Sequence, residues 1–370
     1  MAKTESGPVK LGLVGTGFIL NDFYMPALRE IPEARVVAVA GRTQGKTDAF
    51  ARKWGIPHAY HGETSYERLC GDPEVDAVVV ALPNDLHLPV IVAAAERGKA
   101  VVCEKPLCRN LGEADEALRV VRRQRVVHCY AENQIFIPQV VRARRFVEDG
   151  AIGDVTWVRS REAHSGPHSK WFWDPERAGG GVLLDMGCHS IEVTRYLFGR
   201  RPEATSAWAA TLGHRTTLED NSLVLLRYEG GGLGQCENSW TAKGGLDVRL
   251  EVFGSEGSVF VDTTRETGIR VFTTGAGGRA GHIVEKADAQ SGWVYPAWNE
   301  HVNNGYLSEL KHFVGSIARG RQPSETFEDG RLVNAIMDAA YRSAREGRWL
   351  DLEPAPGPRR AAARRVGSRA

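Results

Sequence analysis

The chain has 370 residues, of which 42% are hydrophobic and 25% charged, and 47 Lys+Arg against 46 Asp+Glu leave a formal net charge of +1. That much apolar material can build a large core, which excludes whole-chain disorder, and the length suits two domains of about 100–200 residues each. A near-neutral chain has no global field for gripping nucleic acid or an anionic membrane, and no run approaches the ~18 apolar residues of a bilayer span, so neither partner is expected.

Cys70, Cys103, Cys108, Cys129, Cys188 and Cys236 are scattered, with no C-x-x-C pair. Reduced thiols in a cytoplasmic protein are the expectation, with no disulfide framework and no metal site. The opening MAKTESGPVK lacks the apolar stretch of a signal peptide. Residues 355–370 hold five arginines and no acid, and this Pro/Gly-led stretch reads as a disordered basic tail.

Through the first third, short apolar runs alternate with helical patterns. Val9–Gly15 is a strand ending in glycine, and Phe18–Glu30 has helical spacing. Arg35–Ala40 is a second strand, followed by a helix over Gln44–Trp54. Strands at Ala77–Ala81 and Ala100–Glu104 precede helices at about Leu86–Arg97 and Leu111–Gln124, and Val126–Tyr130 closes the series. Strands that are apolar throughout are covered on both faces, and their alternation with helices predicts a doubly wound parallel sheet, a Rossmann α/β domain, over residues 1–131. From about Val155 to Phe272 the chain reads as successive extended segments, interrupted by one helical insert near Gly187–Tyr196. This predicts an α+β domain with an open, mostly antiparallel sheet over residues 132–354, on which the last helices, near Leu307–Ala318 and Leu332–Arg345, also pack.

Gly15-Thr16-Gly17-Phe18-Ile19-Leu20 ends the first strand and opens a helix. Gly15 suits the tight turn, Gly17 lets backbone approach a pyrophosphate, and the helix N-terminus faces that charge. Leu20 stands where Gly or Ala is usual, which implies an altered approach of the helix. The second strand ends in Ala40-Gly41-Arg42 with no acid for a ribose 2′-OH. Arg42 can pair with a 2′-phosphate, which favours NADP, or stack over adenine and serve NAD. Lys105 follows a strand's C-terminal end, where open α/β sheets carry their ligands, and Pro106 restricts it to extended backbone. It can hydrogen-bond a reacting hydroxyl, or be merely an exposed lysine before a loop. Asp185 and His189 are spaced i, i+4, so on one helix the carboxylate can orient the imidazole as a proton acceptor; the alternative is a helix acid and a core histidine. Gly179-Gly180-Gly181 ahead of them permits close backbone approach, which tilts the reading toward a site. The segment 164–173 (HSGPHSKWFW) is dense in polar and aromatic groups suited to a sugar, with His164, His168 and Trp171 as candidates and packing of Trp171 and Trp173 as the alternative. Gly166-Pro167 argues against metal ligation by the two histidines. Trp293, Tyr295, Trp298 and His301 are further candidates for the cleft.

Gly15-x-Gly17, Leu82-Pro83-Asn84-Asp85-Leu86-His87, Glu104-Lys105-Pro106-Leu107, Ala131-Glu132-Asn133, Gly150-Ala151-Ile152-Gly153-Asp154, Gly179 through His189 and Phe327-Glu328-Asp329-Gly330 together resemble the glucose–fructose oxidoreductase/inositol dehydrogenase/MocA family over residues 8–352. The resemblance implies a Rossmann domain followed by an open-sheet domain, and a nicotinamide-dependent oxidoreductase acting on sugars or cyclitols. It implies a homodimer or homotetramer formed through the C-terminal sheet. Lys105, Asp185 and His189 match the family's catalytic set, and Lys105, His164, His168, Trp171, Asp185 and His189 are expected at the substrate. Gly15, Gly17, Phe18, Ile19, Arg42, Leu82, Pro83, Asn84, His87, Glu104, Lys105 and Asn133 are expected to bind the cofactor. Two other outcomes stay open: a redox-neutral reaction through a transient keto-sugar, and a nucleotide-sensing protein without catalysis.

Overall fold

The computed structural model describes residues 7–265, 268, 270–273, 292–296 and 299–352. Among them, β1 (Val9–Val14), β2 (Ala34–Gly41), β3 (His58–His61), β4 (Ala77–Val80), β5 (Ala100–Glu104) and β6 (His128–Ala131) form a parallel sheet in the order β3-β2-β1-β4-β5-β6. Its central strands are buried on both faces, β4 along its whole length. One face carries Leu20 to Leu28 around α1 (Met25–Arg29) and Phe50 of α2 (Gln44–Trp54). The other carries α3 (Ser65–Cys70), α4 (His87–Glu96) and α5 (Leu111–Gln124). The strand order reverses between β1 and β4, and open sheets of this kind bind ligands beyond the strand ends at such a point.

The second sheet follows α6 (Pro138–Glu148). It comprises β7 (Val155–Ala163), β8 (Pro202–Ala210), β9 (Asn221–Tyr228), β10 (Leu233–Ser239), β11 (Asp247–Gly254), β12 (Ser258–Asp262) and, later in the chain, β15 (Leu350–Asp351). The order is β12-β11-β7-β10-β9-β8-β15, and every pair is antiparallel except β10 with β7. The helical insert between β7 and β8 contains α7 (Pro175–Ala178), α8 (Val182–Asp185) and α9 (Gly187–Phe198). Ile191, Val193 and Leu197 of α9 and Val333, Ile336 and Met337 of α12 (Phe327–Glu346) cover one face of the sheet. The strict in–out alternation of β9 is the mark of a sheet with one face uncovered, and there Trp208 and Phe260 are exposed. A two-stranded ribbon, β13 (Val271–Thr273) with β14 (Gly292–Val294), lies apart from both sheets. The remaining helices are α10 (Glu300–Asn303) and α11 (Tyr306–Ala318).

Four features depart from the sequence reading. The first helix opens as a π-helical turn, Ile19–Tyr24, the altered approach that Leu20 implies. β3 and α3 were not expected, because His58-Ala59-Tyr60-His61 is a half-buried edge strand without an apolar run. α6 was also missed; its Val140 and Ala143 stripe is thin among four arginine and glutamate positions. Finally, α11 packs Leu310, Phe313 and Val314 onto the first sheet rather than the second. No helix of the described residues is long and apolar enough to cross a membrane, and all six cysteines are buried and free.

Candidate active site

Two cavities adjoin beyond the C-terminal ends of the first sheet. The first, of about 350 Å³, is walled by the Gly15–Leu20 turn, by Ala81–Asn84 and by the end of β5 with Glu104 and Lys105; Trp171 and Phe172 close its outer side. The second lies between that strand end and the second sheet. Its wall mixes apolar side chains such as Ile137, Leu246 and Val248 with the polar groups of Asn133, Glu162, His164, His189, Thr263 and Asn304. Ile19, Lys105, His168 and Asp185 line both.

The first cavity is a backbone device. Gly15 has φ +124°, and a Cβ there would lie 2.3 Å from the Ala81 carbonyl oxygen, so the turn after β1 can close on the turn after β4 only as glycine. A Cβ on Gly17 would meet no protein atom; the space beside it is cavity. A dinucleotide fits these residues: the pyrophosphate would lie on the helix-opening amides at Gly17, and the nicotinamide end would reach Lys105. Phe18 stacks on His168 with ring centroids 5.2 Å apart, joining the turn to the second half of the molecule. The segment carrying His168 is itself tied down: His164 N–H donates to Ser239 O at 3.0 Å and Gly166 N–H to Trp240 O at 2.7 Å.

The second cavity is built from side chains. Lys105 Nζ donates to the Asp185 carboxylate and to the Asp185 carbonyl, each at 3.1 Å. Burial works against the ammonium, but the Asp185 carboxylate beside it outweighs burial and holds Lys105 charged. Burial likewise opposes the Asp185 charge, while Lys105, His164 and His168 keep that carboxyl below its usual range. His189 Nδ1 lies 2.5 Å from Glu132 Oε1. The reason is local: Asp185 ends α8, Met186 breaks the helix, and His189 begins in α9, so the i, i+4 pair does not share one continuous helix face. The expectation that Asp185 orients His189 is therefore corrected; Asp185 holds Lys105, and Glu132 holds the imidazole.

Other expected residues land in different places. Ile19, Leu82, Pro83, Asn84 and Glu104 line the first cavity with Gly15, Gly17 and Phe18. Asn84 also donates to Ala178 O at 2.8 Å, tying the strand end to α7. Asn133 lines the second cavity, not the first, and donates to Asn304 O at 2.7 Å. Trp171 lines the first cavity, against its assignment to the substrate. His87 lines neither; it is 1% exposed, with Nδ1 on Pro106 O and Leu107 O and Nε2 3.0 Å from Leu82 O, so it braces the strand ends instead of meeting a ligand. Arg42 stands exposed past β2, 4.0 Å from Glu63. The glycine triplet does approach neighbours closely, but they are protein: a Cβ would strike Arg109 from Gly179, Tyr341 from Gly180 and Glu219 from Gly181. Trp173 packs on Trp240 and His214. Trp293 is exposed against Phe272, His301 pairs with Glu30 at 2.6 Å, and Tyr295 lines neither cavity, while Trp298 falls outside the described residues. No local pattern marks Asn304 and Tyr306, which reach the site from about 170 residues beyond Asn133.

The comparisons with known proteins agree with this geometry. Residues 9–132 match the model of an oxidoreductase family with an NAD-binding Rossmann fold, and residues 140–260 match the GFO/IDH/MocA C-terminal domain. The myo-inositol 2-dehydrogenase of Thermotoga maritima is 31% identical over 355 residues, covering 94% of this chain and 100% of the relative. This chain belongs to the Gfo/Idh/MocA oxidoreductases. Among solved structures of the family, GenD2 from gentamicin A biosynthesis, in complex with NAD, is 29% identical with a TM-score of 0.87 and covers 96% of this chain and 99% of its own. Levoglucosan dehydrogenase, in complex with NADH and levoglucosan, is 27% identical with a TM-score of 0.79, covering 94% and 100%. Like other members, this Gfo/Idh/MocA chain is an NAD-binding oxidoreductase.

Proposed function

We propose that the protein reversibly oxidises a secondary alcohol of a sugar or cyclitol with a nicotinamide cofactor. The observation that carries this reading is the pair of cavities that meet at Lys105 and Asp185, one walled by a nucleotide-type turn and the other by hydrogen-bonding side chains. The names of similar proteins, inositol and levoglucosan dehydrogenases, support the substrate class.

Bound NAD(P)⁺ supplies the hydride acceptor. The polar groups of the second cavity hold the polyol by its hydroxyls and fix which carbon faces the first cavity. Lys105, kept charged by Asp185, donates to the reacting oxygen, and His189, which lines the same cavity, is the group available to take its proton. Arg42 favours NADP through a 2′-phosphate contact; its approach to Glu63 is between two exposed side chains and is too weak to hold it away. In this reading a second copy of the chain packs on the open face of the second sheet, where Trp208 and Phe260 are exposed.

The test is a panel of inositols and sugars with NAD⁺ and NADP⁺ on purified protein, followed at 340 nm. Steady formation of reduced cofactor with at least one polyol is expected. Product without net reduction would replace this reading with a redox-neutral reaction, and cofactor binding without turnover of any polyol would remove the enzyme reading.

A further inference from the structure

Near the point where the two cavities meet lies a set of buried carboxyls to which the proposed function gives no proton-handling role. Glu104, Glu132 and Glu309 are at most 7% exposed, and they come from β5, the turn after β6, and α11. Neither oxygen of Glu309 has a hydrogen-bond partner among the described residues, and one oxygen each of Glu104 and Glu132 is likewise unsatisfied. Three anions so enclosed cannot all persist without cations between them. Burial, reinforced by Glu104 and Glu132, pushes the Glu309 carboxyl well up, and burial lifts Glu104 to about 7. The neutral form of Glu309 is thereby favoured, and Glu132 is the member of the set bonded to an imidazole.

The imidazole has one ring nitrogen on Glu132. Its Nε2 makes no hydrogen bond among the described residues, and His189 lines the second cavity. Lys105 is differently placed: with both the carboxylate and the carbonyl of Asp185 on its ammonium, it is held as a donor. We propose that Glu132 is the positioning residue for His189: it takes Nδ1–H and leaves Nε2 bare toward the polyol, so that the imidazole rather than Lys105 receives the hydroxyl proton. This rests on the dehydrogenase reading. As the carbinol carbon gives up its hydride to the nicotinamide and the C–O bond becomes a carbonyl, the hydroxyl proton passes to Nε2 and the ring becomes imidazolium against the Glu132 carboxylate.

Titratable groups from several elements surround the pair, with Glu162 of β7, His164 and His168 lining the same cavity as His189. Lys105 and Glu104 come from the end of β5, Tyr130 from β6, Cys188 and Glu192 from α9, Glu309 from α11, and Glu325 from the segment before α12. Asp185 faces Lys105 from α8. Among the described residues, the Glu132 carboxylate is the group hydrogen-bonded to the imidazole.

The experiment has two arms. In the first, ¹⁵N-histidine NMR of the full, cofactor-free chain, with His189 assigned from His189→Gln, reads the tautomer directly. The neutral ring is expected as Nδ1–H in the wild type and in Asp185→Asn, with the Nδ1–H population lowered in Glu132→Gln. An Nε2–H ring in the wild type overturns the proposal. In the second arm, Glu132→Gln is expected to lower kcat at least about tenfold and to move the acid limb of the pH profile for alcohol oxidation down by about one unit, because the imidazolium loses its anion. Glu132→Asp, which keeps the charge, should recover part of both. A Glu132→Gln enzyme with an unmoved limb, or a limb that follows Asp185→Asn instead, overturns it. If Glu132→Gln does not fold, the wild-type tautomer and Glu132→Asp decide. A chain with the Nδ1–H tautomer that turns over no polyol removes the dehydrogenase reading while the pairing stands.

Discussion

The two halves of the cleft are built from different materials. The nucleotide half rests chiefly on main chain: a glycine turn, a helix opening and the carbonyl of Ala81, on two short runs at the ends of β1 and β4. The other half, assigned above to the polyol by proposal, is side chains from the end of β5, the turn after β6, β7, α8, α9 and the segment before α11, brought together only by the packing of two sheets. Main-chain geometry needs one residue type at one place, whereas a side-chain site needs partners that fix each group's charge and direction.

The largest test of that contrast is Gly15→Ala. Its methyl would meet the Ala81 carbonyl at 2.3 Å on a backbone with φ +124°, so the turn must deform and cofactor binding should be lost by more than ~100-fold in a fluorescence titration. Gly17→Ala sharpens the point. Its methyl meets no protein atom, so Tm without cofactor should stay within about 2 °C while cofactor affinity falls. On the side-chain half, Lys105→Ala should cut turnover by ~10²–10⁴ with cofactor affinity nearly intact, measured as kcat/KM beside a binding titration. Unchanged turnover would remove Lys105 from the chemistry.

A smaller effect separates the halves by stability. Glu309 has a folded-state pKa above its unfolded value, so the folded chain binds the extra proton and loses stability as pH rises from about 4.5 upward through the folded value. Glu309→Gln should therefore raise Tm by roughly 2–4 °C at pH 8, and the gain should vanish near pH 4. Asp185 has the opposite sign. Its depressed pKa gives stability that is present above the unfolded carboxylate range and lost as pH falls below about 4. The smallest expected effect is at the rim: Arg42→Ala should lower kcat/KM for NADP⁺ about tenfold and leave NAD⁺ nearly unchanged, because Arg42 is exposed.

The same contrast governs what could be read from the chain. The apolar strands of the first sheet, the glycine turn and the exact span of α5 were legible, since each follows from a local pattern: Leu111–Gln124 opens on Asn110, whose side chain accepts from Glu113 N–H. β3 escaped because an edge strand of histidines and a tyrosine has no such pattern. At the site, Lys105 and Asp185 could be picked out singly, but their ion pair could not, because it spans 80 residues of sequence. The i, i+4 spacing of Asp185 and His189 misled for a physical reason: a helix break at Met186 intervenes, and a buried carboxylate from another strand end lay nearer to the ring. His87 misled similarly. A histidine beside a ligand-bearing edge is equally suited to bracing it, and three backbone carbonyls surround its ring.

That the two cavities form one active site is open to a single direct observation, a structure of the protein with NAD(P)⁺ and a turned-over polyol bound together. The nicotinamide C4 and the carbinol carbon should meet beside Lys105 Nζ, with the hydroxyl within hydrogen-bond reach of His189 Nε2. A polyol seated away from Lys105, or a nicotinamide turned out of the space that Ile19, Lys105, His168 and Asp185 share, would show that the cavities serve separate purposes.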